Sequence, residues 1–454
     1  MKRTILSVFA VMASLLCAAS CTDYLRHGKV DLSMPDGGQE PSTEYEFNHP
    51  CALVDGGDIL RVKAKIAAAD SYDPVYVSYT HFCNSPYAQE TWQPSPVETI
   101  VRGDPTGTGV SGENYILPSK DAAAAYQLSL RWRLTDDVKY ADAAVKILNS
   151  WSSVCKRIDA NDANQYLCAG FQGHAFANAA ELLRDYQGWK KADQDRFRQW
   201  LLDVWYAKNK YFVDSHGKGN TCAQHYWSNW ELANLSSILA IGIYMENTEM
   251  IDFVRRRFRE GDGSACVNNM IPYAPVADPD GKGMIAQSME SGRDQGHGTL
   301  VISMCAELCQ MAWNVGLDFW GEEQNKVLAM AQYTAKYNCR PQGQYICTSM
   351  PFTEYSYCID CSCRDKNHGS VHTVVSSQGR GKLRPCWDLI YSHYKHEKSC
   401  ADEEVHYVKL FADQLRQTDG TLTGDGGPGD SRYGSDSSAF DQLGWGTMMF
   451  YRGE

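Results

Sequence analysis

The chain has 454 residues, with 43 Lys and Arg against 55 Asp and Glu, so its formal net charge is −12. It lacks the excess of cations that neutralises phosphates, which argues against nucleic acid as a partner. Charged residues make up 22% and hydrophobic residues 43% of the chain, which excludes wholesale disorder and allows one to three domains. An anionic substrate stays compatible, because a local basic cleft can form within an acidic surface.

The first twenty residues have the organisation of a secretory signal. Lys2 and Arg3 precede an apolar run, Ile5–Ala19, which is too short for a good membrane span. The small residues that end at Cys21 resemble a bacterial lipobox, so we expect a signal peptide over residues 1–20 and a lipid on Cys21. A buried N-terminal helix is the structural alternative. The prediction is export, with anchoring to the outer membrane at its periplasmic or its outer face.

A polar segment follows the predicted lipid site. Residues 21–48 include Gly37, Gly38 and Pro41 and are predicted to form a flexible tether. No convincing linker divides residues 49–454, which we therefore expect to form one domain.

Within that domain, apolar residues recur at spacings of three and four, the pattern of helices that bury one face. Ala141, Ala144 and Leu148 show this spacing, and Thr135-Asp136 precede them as an expected helix cap. The predicted helices are Ala122–Leu134, Val138–Cys155, Ala175–Tyr186, Arg196–Phe212, Trp230–Glu246, Leu300–Asn314 and Asn325–Tyr337.

Turn residues such as Gly188 and Gly316 separate these helices, and long runs of period-two alternation are missing. The pattern predicts an all-α fold of consecutive helical hairpins, which close into a toroid or stack into a solenoid. Regular solenoids are disfavoured because no fixed sequence period is visible. Residues 266–290 and 340–385 are rich in Pro and Gly and are predicted to be long irregular loops with a functional role.

Seventeen cysteines are a high number for a chain of this length. Removing Cys17 with the signal and using Cys21 for the lipid leaves fifteen, so at least one thiol is unpaired or pairs between chains. One group superficially resembles a zinc site: Cys358, Cys361, Cys363, His368 and His372. A cysteine-zinc site usually presents two clean pairs, so disulfides or buried thiols are the favoured interpretation.

The first segment that could carry chemistry is Ala223–Asn234. His225, Tyr226 and Asn229 stand at the N-terminal edge of a very apolar predicted helix, where free backbone N–H groups and the helix dipole favour anions. Core aromatic residues with a capping Ser or Asn are the structural alternative.

A second segment, Glu290–His297, follows a proline-rich loop and opens another apolar helix. Arg293 offers a rigid fork that matches a carboxylate, and His297 can exchange a proton near neutral pH. The two residues are four apart, so they share one helix face if the helix has begun. A structural pair of Arg293 with Glu290 or Asp294 is the alternative.

A third segment, Val374–Trp387, is a Gly-rich loop whose basic residues lead into a Trp. Arg380, Arg384 and Trp387 would suit a subsite for an acidic sugar, and a solvated basic loop is the alternative. Tyr433 adds a possible phenol. The chain shows no Gly-x-Ser-x-Gly elbow, no His-Glu-x-x-His helix and no P-loop.

Several of these motifs resemble the alginate lyase family of bacterial lipoproteins. The motifs are Arg293–His297, Ser228–Asn234, Phe440–Gly446, Tyr333–Asn338 and His49-Pro50 with Leu53. The resemblance spans about residues 49–451. It implies an (α/α)n toroid, or incomplete barrel of helical hairpins, with one catalytic domain that acts as a polysaccharide lyase on uronic acids.

The resemblance carries over with two departures. In better understood members an Asn-His pair opens one helix, whereas this chain has Gln224-His225 or His225-Tyr226 at that place. In those members an Arg is followed six or seven residues later by a catalytic Tyr, whereas Thr299 and Leu300 follow Arg293. The base is therefore His297 or a tyrosine from elsewhere, for which Tyr226, Tyr355 and Tyr433 are the candidates.

The predicted reaction is β-elimination of an anionic polysaccharide by a monomer, without metal or cofactor. Asn229 and Arg293, helped by Gln295, neutralise the substrate carboxylate, His225 or His297 removes the proton, and Tyr226 is the acid or combined acid and base. The residues expected to bind the neighbouring sugars are Gln224, Trp227, Arg380, Arg384, Trp387 and Tyr433.

Two alternatives come from other classes. A glycoside hydrolase on the same toroid would need two carboxylates flanking the bond, and Glu231, Asp294, Asp425 and Asp430 are available without forming an evident pair. A surface glycan-binding lipoprotein would use the aromatic residues and do no chemistry.

Overall fold

Short acidic and amide side chains start several helices of this chain. Asp55, Asp73 and Asp137 each accept a hydrogen bond from a backbone N–H of the first helical turn, and Asn247 and Asp294 do the same. Such capping satisfies donors that a helix cannot satisfy itself. The expected cap at Thr135-Asp136 is wrong by one residue, because Asp136 ends the preceding helix in the left-handed conformation.

The computed structural model describes residues 44–104, 112–215, 222–356 and 371–453. These residues fall in one compact unit, Thr43–Glu454. The predicted signal, Cys21, most of the tether and the group Cys358, Cys361, Cys363 and His368 lie outside them. In the part of the chain that the structure describes, no helix has the length and apolar character needed to cross a membrane.

Helices dominate the described residues, and the seven predicted helices are found with shifted ends. In chain order the helices are α1 (Gly56–Ala68), α2 (Pro74–Cys83), α3 (Ile116–Thr135), α4 (Val138–Val154), α5 (Asn164–Leu182), α6 (Lys191–Trp200), α7 (Ala207–Ser215), α8 (Ser228–Met245), α9 (Thr248–Glu260), α10 (Val267–Met270), α11 (Gln295–Trp313), α12 (Glu322–Asn338), α13 (Trp387–Ser392), α14 (His406–Leu415) and α15 (Gly446–Phe450). A π-helical turn, Leu201–Tyr206, joins α6 to α7.

The strands of the described residues are short and form four separate pairs. They are β1 (Thr99–Val101) with β2 (Arg157–Asp159), β3 (Val276–Ala277) with β4 (Met284–Ile285), β5 (Tyr355–Ser356) with β6 (Val371–His372), and β7 (Gln417–Thr418) with β8 (Thr421–Leu422). The first pair is parallel and the others are antiparallel. Within the described residues of the two predicted loop regions, the regular elements are β3 to β6, α10 and a 3-10 turn, Pro341–Gly343.

Four parallel helices, α3, α5, α8 and α11, form the inner layer of the fold. Helix α3 runs along α5, with Ser119 in the first turn of α3 beside Gln172 in the middle of α5 and Arg133 beside Leu182 at their ends. Helix α5 runs along α8, and Gly170 and Gly173 of α5 allow close approach, because an added Cβ would meet Ala233 or Ser237. His174 and Asn178 of α5 reach Glu307 and Met311 of α11 in the same order.

These inner helices alternate in the chain with outer helices that run antiparallel to them. Every residue of α5 from Gln165 to Leu182 is buried, whereas α9 on the outside buries only one face. Helix α12 returns along α11, because Asn338 at its end contacts Gln295 at the start of α11. Helices α13, α15, α1 and α2 close the ring back to α3. This is the predicted α/α toroid, and we call the end where α3, α5, α8 and α11 begin its mouth.

Candidate active site

Glu290 occupies the centre of a polar cluster at the mouth. Its carboxylate is completely buried and accepts hydrogen bonds from the backbone N–H of Asn229 at 3.0 Å and from the Asn229 side chain at 2.9 and 3.0 Å. Arg293 adds a contact of 3.1 Å from Nη1 to Oε2. Glu290 therefore joins the start of α8 to the loop that leads into α11. The Arg293 cluster is defined as Trp227, Asn229, Glu290, Arg293, Asp294 and His297.

The guanidinium of Arg293 is held from three sides. Besides Glu290, its Nε lies 3.8 Å from Oδ2 of Asp294, and its charge lies 4.8 Å from the ring centre of Trp227. The side chain is 25% exposed. The expected structural pairing of Arg293 with Glu290 and Asp294 is therefore present. The guanidinium still reaches solvent, so it is also placed as the expected functional role requires. A fixed guanidinium suits recognition of a planar carboxylate.

His297 and Asp294 form a hydrogen-bonded pair in the first turn of α11. Nδ1 of His297 lies 2.6 Å from Oδ2 of Asp294, and the backbone N–H of His297 donates to Oδ1 at 2.9 Å. Burial alone would raise the pKa of Asp294, but hydrogen bonds and charge from His297, together with the charge of Arg293, lower it. A carboxylate that holds Nδ1–H leaves Nε2 free to accept a proton, and the imidazole is 38% exposed.

A second imidazole, His372 of β6, adjoins the Arg293 cluster. Its ring centre lies 6.0 Å from Trp227 and 5.1 Å from Tyr355, its partner across the β5–β6 pair. Its Nε2 is buried and has no hydrogen-bond partner among the described residues. Burial lowers the pKa of His372, a hydrogen bond with the backbone of Gly292 opposes this, and the charge of Arg293 lowers it further.

In the sequence, His372 stands with the cysteine group and Tyr355 is a candidate base. The structure instead places the Tyr355 hydroxyl between the Met289 carbonyl, to which it donates at 2.5 Å, and the Gly292 N–H, from which it accepts at 3.1 Å. A phenol bound in this way braces the loop before Arg293. No local sequence pattern pairs Tyr355 with His372, because the strands that hold them are two residues long.

His225 and Tyr226 lie on the segment just before α8. Their rings meet at 4.9 Å, and Tyr226 packs 5.2 Å from Phe212 and 5.0 Å from Trp230. Burial raises the pKa of Tyr226, with a smaller contribution from the charge of Asp162. Tyr226 thus faces α7 and α8, and the measured ring contacts do not bring it to Arg293. The phenol keeps its proton at neutral pH, as a proton donor must.

The same segment contains a disulfide-bonded cysteine, Cys222, whose carbonyl accepts a hydrogen bond from the His225 N–H at 3.0 Å. Gln224 is half-buried beside it. The free cysteines of the described residues are Cys51, Cys83, Cys155, Cys168, Cys266, Cys305, Cys309, Cys339, Cys347, Cys386 and Cys400. The chain therefore combines a disulfide next to a candidate catalytic histidine with many thiols that are not oxidised.

Two predicted carboxylate partners are already occupied. Gln295 is 2% exposed, its amide N donates to the carbonyls of Ser291 and Ser376, and its Oε1 accepts from Asn338. The prediction that Gln295 helps to neutralise the substrate is therefore wrong. Asn229 is also buried, and its amide N donates only to Glu290 among the described residues. Asn229 positions Glu290, so its predicted direct role is corrected to an indirect one.

The basic residues of the third segment, Arg380 and Arg384, bind other parts of the protein. Arg380 lies 3.9 Å from the ring centres of both Tyr337 and Tyr345, and its Nε and Nη2 donate to the carbonyls of Tyr337 and Cys347. Arg384 is 3% exposed and binds Asp441, Gln442 and the carbonyl of Gly296. Their predicted contacts with sugar do not fit these positions, because Arg384 is buried and the guanidinium of Arg380 is packed between two rings and bound to backbone carbonyls.

The two predicted aromatic subsites are also wrong. Trp387 is completely buried and packs 4.5 Å from Phe411. Tyr433 is buried as well, and its hydroxyl accepts from the N–H of Gly426 at 2.8 Å. Neither ring offers a face to a sugar. Trp227 is half-buried at the mouth beside Arg293, so it stays a candidate for sugar binding.

The carboxylates considered for hydrolysis are dispersed among structural contacts. Glu231 accepts from the N–H of Ala265, Asp425 from those of Gly446 and Thr447, and Asp430 pairs with Arg432. Burial raises the pKa of Glu231 and that of Asp425 to about 7. Each of these carboxylates is thus bound within the protein, in contacts that do not join any two of them.

One group of described residues has the geometry to hold a metal ion. His49, Cys51 and Glu181 place one ligand atom each within 4.8 Å of one another. Glu181 lies near the end of α5, away from the mouth, and it already binds Arg184 and the backbone N–H of Cys51. The group forms a hydrogen-bonded connection that ties His49 to the helical ring.

Comparison with known proteins agrees with this arrangement. The family model described as alginate lyase matches residues 117–343, which is half of the chain. The match includes α3, α5, α8 and α11 with the whole Arg293 cluster. No curated protein sequence matches the chain significantly.

Solved structures with the same fold are alginate lyases of low sequence identity. Alginate lyase A1-III of Sphingomonas species A1 has 11% identity and a TM-score of 0.52, over 92% of this chain and 100% of that one. An alginate lyase of Bacteroides ovatus has 12% identity and a TM-score of 0.51, over 83% and 98%. A histidine variant of A1-III complexed with a tetrasaccharide has 13% identity and a TM-score of 0.51, over 81% and 92%. The fold is that of these enzymes, and the chain belongs to the alginate lyase family of polysaccharide lyases.

Proposed function

We propose that this polysaccharide lyase cleaves a uronic-acid-containing polysaccharide, an alginate-like polyuronate or a glycosaminoglycan, by β-elimination. The observation that carries the proposal is the Arg293 cluster, in which a partly exposed guanidinium stands next to a histidine with an oriented imidazole. A lyase must make the C5 proton more acidic by neutralising the C6 carboxylate, remove that proton and protonate the leaving oxygen.

Arg293 is proposed to bind the C6 carboxylate of the sugar whose C4–O bond breaks. Glu290 and Asp294 hold the guanidinium in one orientation, so little freedom is lost when a carboxylate binds. Four helices begin at the mouth, and the positive ends of their dipoles favour an anionic chain there. Neutralising the carboxylate makes the C5 proton more acidic, because Arg293 stabilises the negative charge that develops in the enolate-like transition state.

His297 is proposed as the base. Its Nε2 accepts the C5 proton, the C5–H electron pair forms the C4–C5 double bond, and the C4–O bond breaks. Asp294 stabilises the resulting imidazolium through Nδ1–H. Of the two candidate histidines, His297 is favoured over His225 because Asp294 orients its imidazole and also contacts Arg293.

The sequence favours Tyr226 as the proton donor, but its ring packs against Phe212 and Trp230 and its contacts do not bring it to Arg293. The His297 imidazolium is therefore proposed to return the proton to the leaving glycosidic oxygen. The products are one chain that ends in a C4–C5 unsaturated uronide and one with a new reducing end. Trp227 and Gln224 stay candidates for contacts with the neighbouring sugars.

The experiment is a panel of alginate, glucuronan and glycosaminoglycans, followed by the ultraviolet absorbance of the unsaturated uronide. We expect one polymer class to give the absorbance, and Arg293→Ala to abolish it. Arg293→Lys keeps the charge but loses the fork, so we expect it to lose most of the rate as well. His297→Ala and His225→Ala should differ, with the larger loss in His297→Ala.

The alternatives give other outcomes in the same panel. New reducing ends without ultraviolet absorbance would indicate a hydrolase and overturn the β-elimination. Binding without any turnover would indicate a glycan-binding protein and overturn the enzyme assignment for this substrate class.

Export and lipid anchoring at Cys21 are proposed on the sequence alone, with residues 1–20 as the signal and residues 21–48 as the tether. We further propose a monomer on the outer membrane. Mass spectrometry of the mature N-terminus tests this, since a lipid on Cys21 is expected and an intact Met1 would contradict it. Cys21→Ser should release the protein from the membrane fraction.

A further inference from the structure

Three side chains with different donor atoms meet at the far end of α5 from the mouth. They are His49 and Cys51, on the segment before α1, and Glu181, in the last turn of α5. Oε1 of Glu181 lies 2.5 Å from Nδ1 of His49 and 3.9 Å from Sγ of Cys51, and Nδ1 and Sγ are 3.4 Å apart. We call these three residues the His49 cluster. It brings one nitrogen, one sulfur and one oxygen within 4.8 Å of one another.

Both ring nitrogens of His49 face a carboxylate. Nδ1 lies beside Glu181, and Nε2 lies 3.2 Å from Oε1 of Glu246, the residue that ends α8. A neutral imidazole has one N–H, so it can donate to only one of the two carboxylates. The other contact requires a second positive charge, which is either another proton on His49 or a cation at one ring nitrogen.

The surroundings of the His49 cluster are those of a metal site. A histidine that binds a metal usually donates its other N–H to a carboxylate, and Glu246 is in that place. A carboxylate that binds a metal is usually held by a further hydrogen bond, and Oε2 of Glu181 accepts from Arg184 at 3.1 Å. Arg184 also contacts Glu246 at 2.9 Å, so one guanidinium orients both carboxylates.

The charge around the Cys51 thiol is mainly negative. Three carboxylates and one guanidinium lie near enough for their charges to act on this thiol: Asp55, Glu181, Glu246 and Arg184. An excess of carboxylates favours a cation at this place, and a bound divalent ion makes the thiol bind as a thiolate.

The segment that carries the two N-terminal ligands is already held against the ring. The N–H of Leu53 donates to the Asn178 side chain of α5 at 2.9 Å. The side-chain amide of Asn314, just after α11, donates to the carbonyl of Ala52 at 2.6 Å. Ligands fixed in advance lose little conformational freedom when an ion binds.

We propose that the His49 cluster binds a divalent transition-metal ion through Nδ1, Sγ and Oε1, and that Zn²⁺ is the ion that fits best. Zn²⁺ accepts histidine, cysteine and carboxylate ligands together, at about 2.0–2.3 Å, so tetrahedral ligand atoms stand about 3.3–3.8 Å apart. The two distances from Sγ are close to this spacing, and Nδ1 and Oε1 separate by roughly 1 Å when the ion enters between them. The imidazole keeps its N–H on Nε2, the thiol proton leaves to solvent, and water completes the fourth position.

The ion would have a structural role. It ties the segment before α1 to the end of α5, at the opposite end of α5 from the mouth. The His49 cluster shares no residue with the Arg293 cluster, so the lyase reaction does not depend on the ion.

Titration of the purified protein, stripped of metal with a chelator, tests the site. We expect one Zn²⁺ per chain with a Kd of about 1 μM or tighter by calorimetry. Saturating Zn²⁺ should raise the melting temperature by roughly 2–5 °C, because the ion binds the folded state. Co²⁺ in place of Zn²⁺ should give the near-ultraviolet charge-transfer absorbance of a cobalt–thiolate bond.

Cys51→Ser keeps the size of the side chain but removes the soft ligand. We expect it to lose the cobalt–thiolate absorbance and to weaken the Kd for Zn²⁺ by at least about tenfold. Cys83→Ser, at another free cysteine, is the matched control and should bind as wild type does. Glu246→Gln removes the carboxylate behind His49 and should weaken the Kd about tenfold. Circular dichroism of each variant separates lost binding from lost folding.

Two results would overturn the metal site. A melting temperature that ignores Zn²⁺, together with no cobalt–thiolate absorbance, would leave a second proton on His49 as the charge between the carboxylates. Equal binding by Cys51→Ser and wild type would place the metal elsewhere in the chain. Neither result touches the lyase proposal, which is tested by turnover of the polymers.

Discussion

Asp294 holds His297 at two places, since Oδ2 lies 2.6 Å from Nδ1 of the imidazole and Oδ1 accepts the backbone N–H of the same residue. One carboxylate thus starts helix α11 and orients the proposed base. The two roles can be separated by mutation, because a capping amide can replace the first contact but cannot stabilise an imidazolium.

Asp294→Asn is expected to lower kcat by about 10- to 100-fold, the usual cost of losing an orienting partner of a catalytic group. The melting temperature should stay close to that of wild type, because Asn caps helices as well as Asp does. Kinetics on the accepted polymer and thermal unfolding check both statements. A variant that melts early but turns over normally would show that Asp294 serves only the helix.

The pH dependence of that pair follows from the lowered pKa of Asp294. A carboxyl whose folded pKa lies below its unfolded value contributes stability above the unfolded value, about 3.9 for Asp, and loses it as the pH falls through the folded pKa. Wild type should therefore lose more stability than Asp294→Asn when the pH is lowered below about 4. Equal acid denaturation of both proteins would contradict the ion pair.

Glu290→Gln tests the support of Arg293. The variant keeps the shape but loses the charge that accepts four hydrogen bonds, so Arg293 and Asn229 lose their common partner. We expect a fall in kcat/KM of at least about tenfold and a loss of about 1–3 kcal/mol in unfolding free energy. Urea denaturation and kinetics give the two numbers. Glu404→Gln, on an exposed surface residue, is the control that should change neither.

Gly292→Ala should displace His372 and the loop before Arg293. A Cβ at residue 292 would lie 2.5 Å from the Cβ of His372, which real structures do not allow. Gly298→Ala is the matched control, because its Cβ would meet only Oε1 of Gln295 at 3.5 Å and Ala suits a helix better than Gly. We expect Gly292→Ala to lose activity about tenfold or more while Gly298→Ala retains it. Equal activities would show that the position of His372 does not matter.

Glu307→Gln tests a buried carboxyl behind the mouth. Glu307 accepts from the N–H of Leu443 at 2.7 Å, and burial raises its pKa to about 8. A carboxyl with a raised folded pKa contributes stability below its unfolded value, and this is lost as the pH rises through the folded value. The melting temperature of wild type should fall between about pH 5 and about pH 8, and that of Glu307→Gln should fall less over the same range. His174 beside it has its pKa lowered by burial to about 3 and acts in the opposite direction, toward acid.

The helices and the centre of the site could be predicted because both depend on short sequence distances. Spacing of three and four located the inner helices, and Arg293, Asp294 and His297 contact one another within a single turn. The helix α5 begins eleven residues before its predicted start because it is buried on all sides and so lacks the one-sided pattern.

The contacts that join distant segments could not be predicted. Trp387 and Tyr433 look like sugar platforms in sequence, and only the packing of α13 and the C-terminal loops reveals that they are buried. His372 reaches the site through a two-residue strand that has no periodic signal.

Because α3, α5, α8 and α11 are parallel, the enzyme consists of a helical ring and of separate segments at its mouth that can change independently of the ring. Every return to the mouth is made by an outer helix, so the segments that hold Trp227 and Arg293 meet at one rim. A change of sugar preference can therefore arise by replacing one rim segment while the ring beneath keeps its packing. Grafting such segments between members of the family is a direct route to lyases of new specificity.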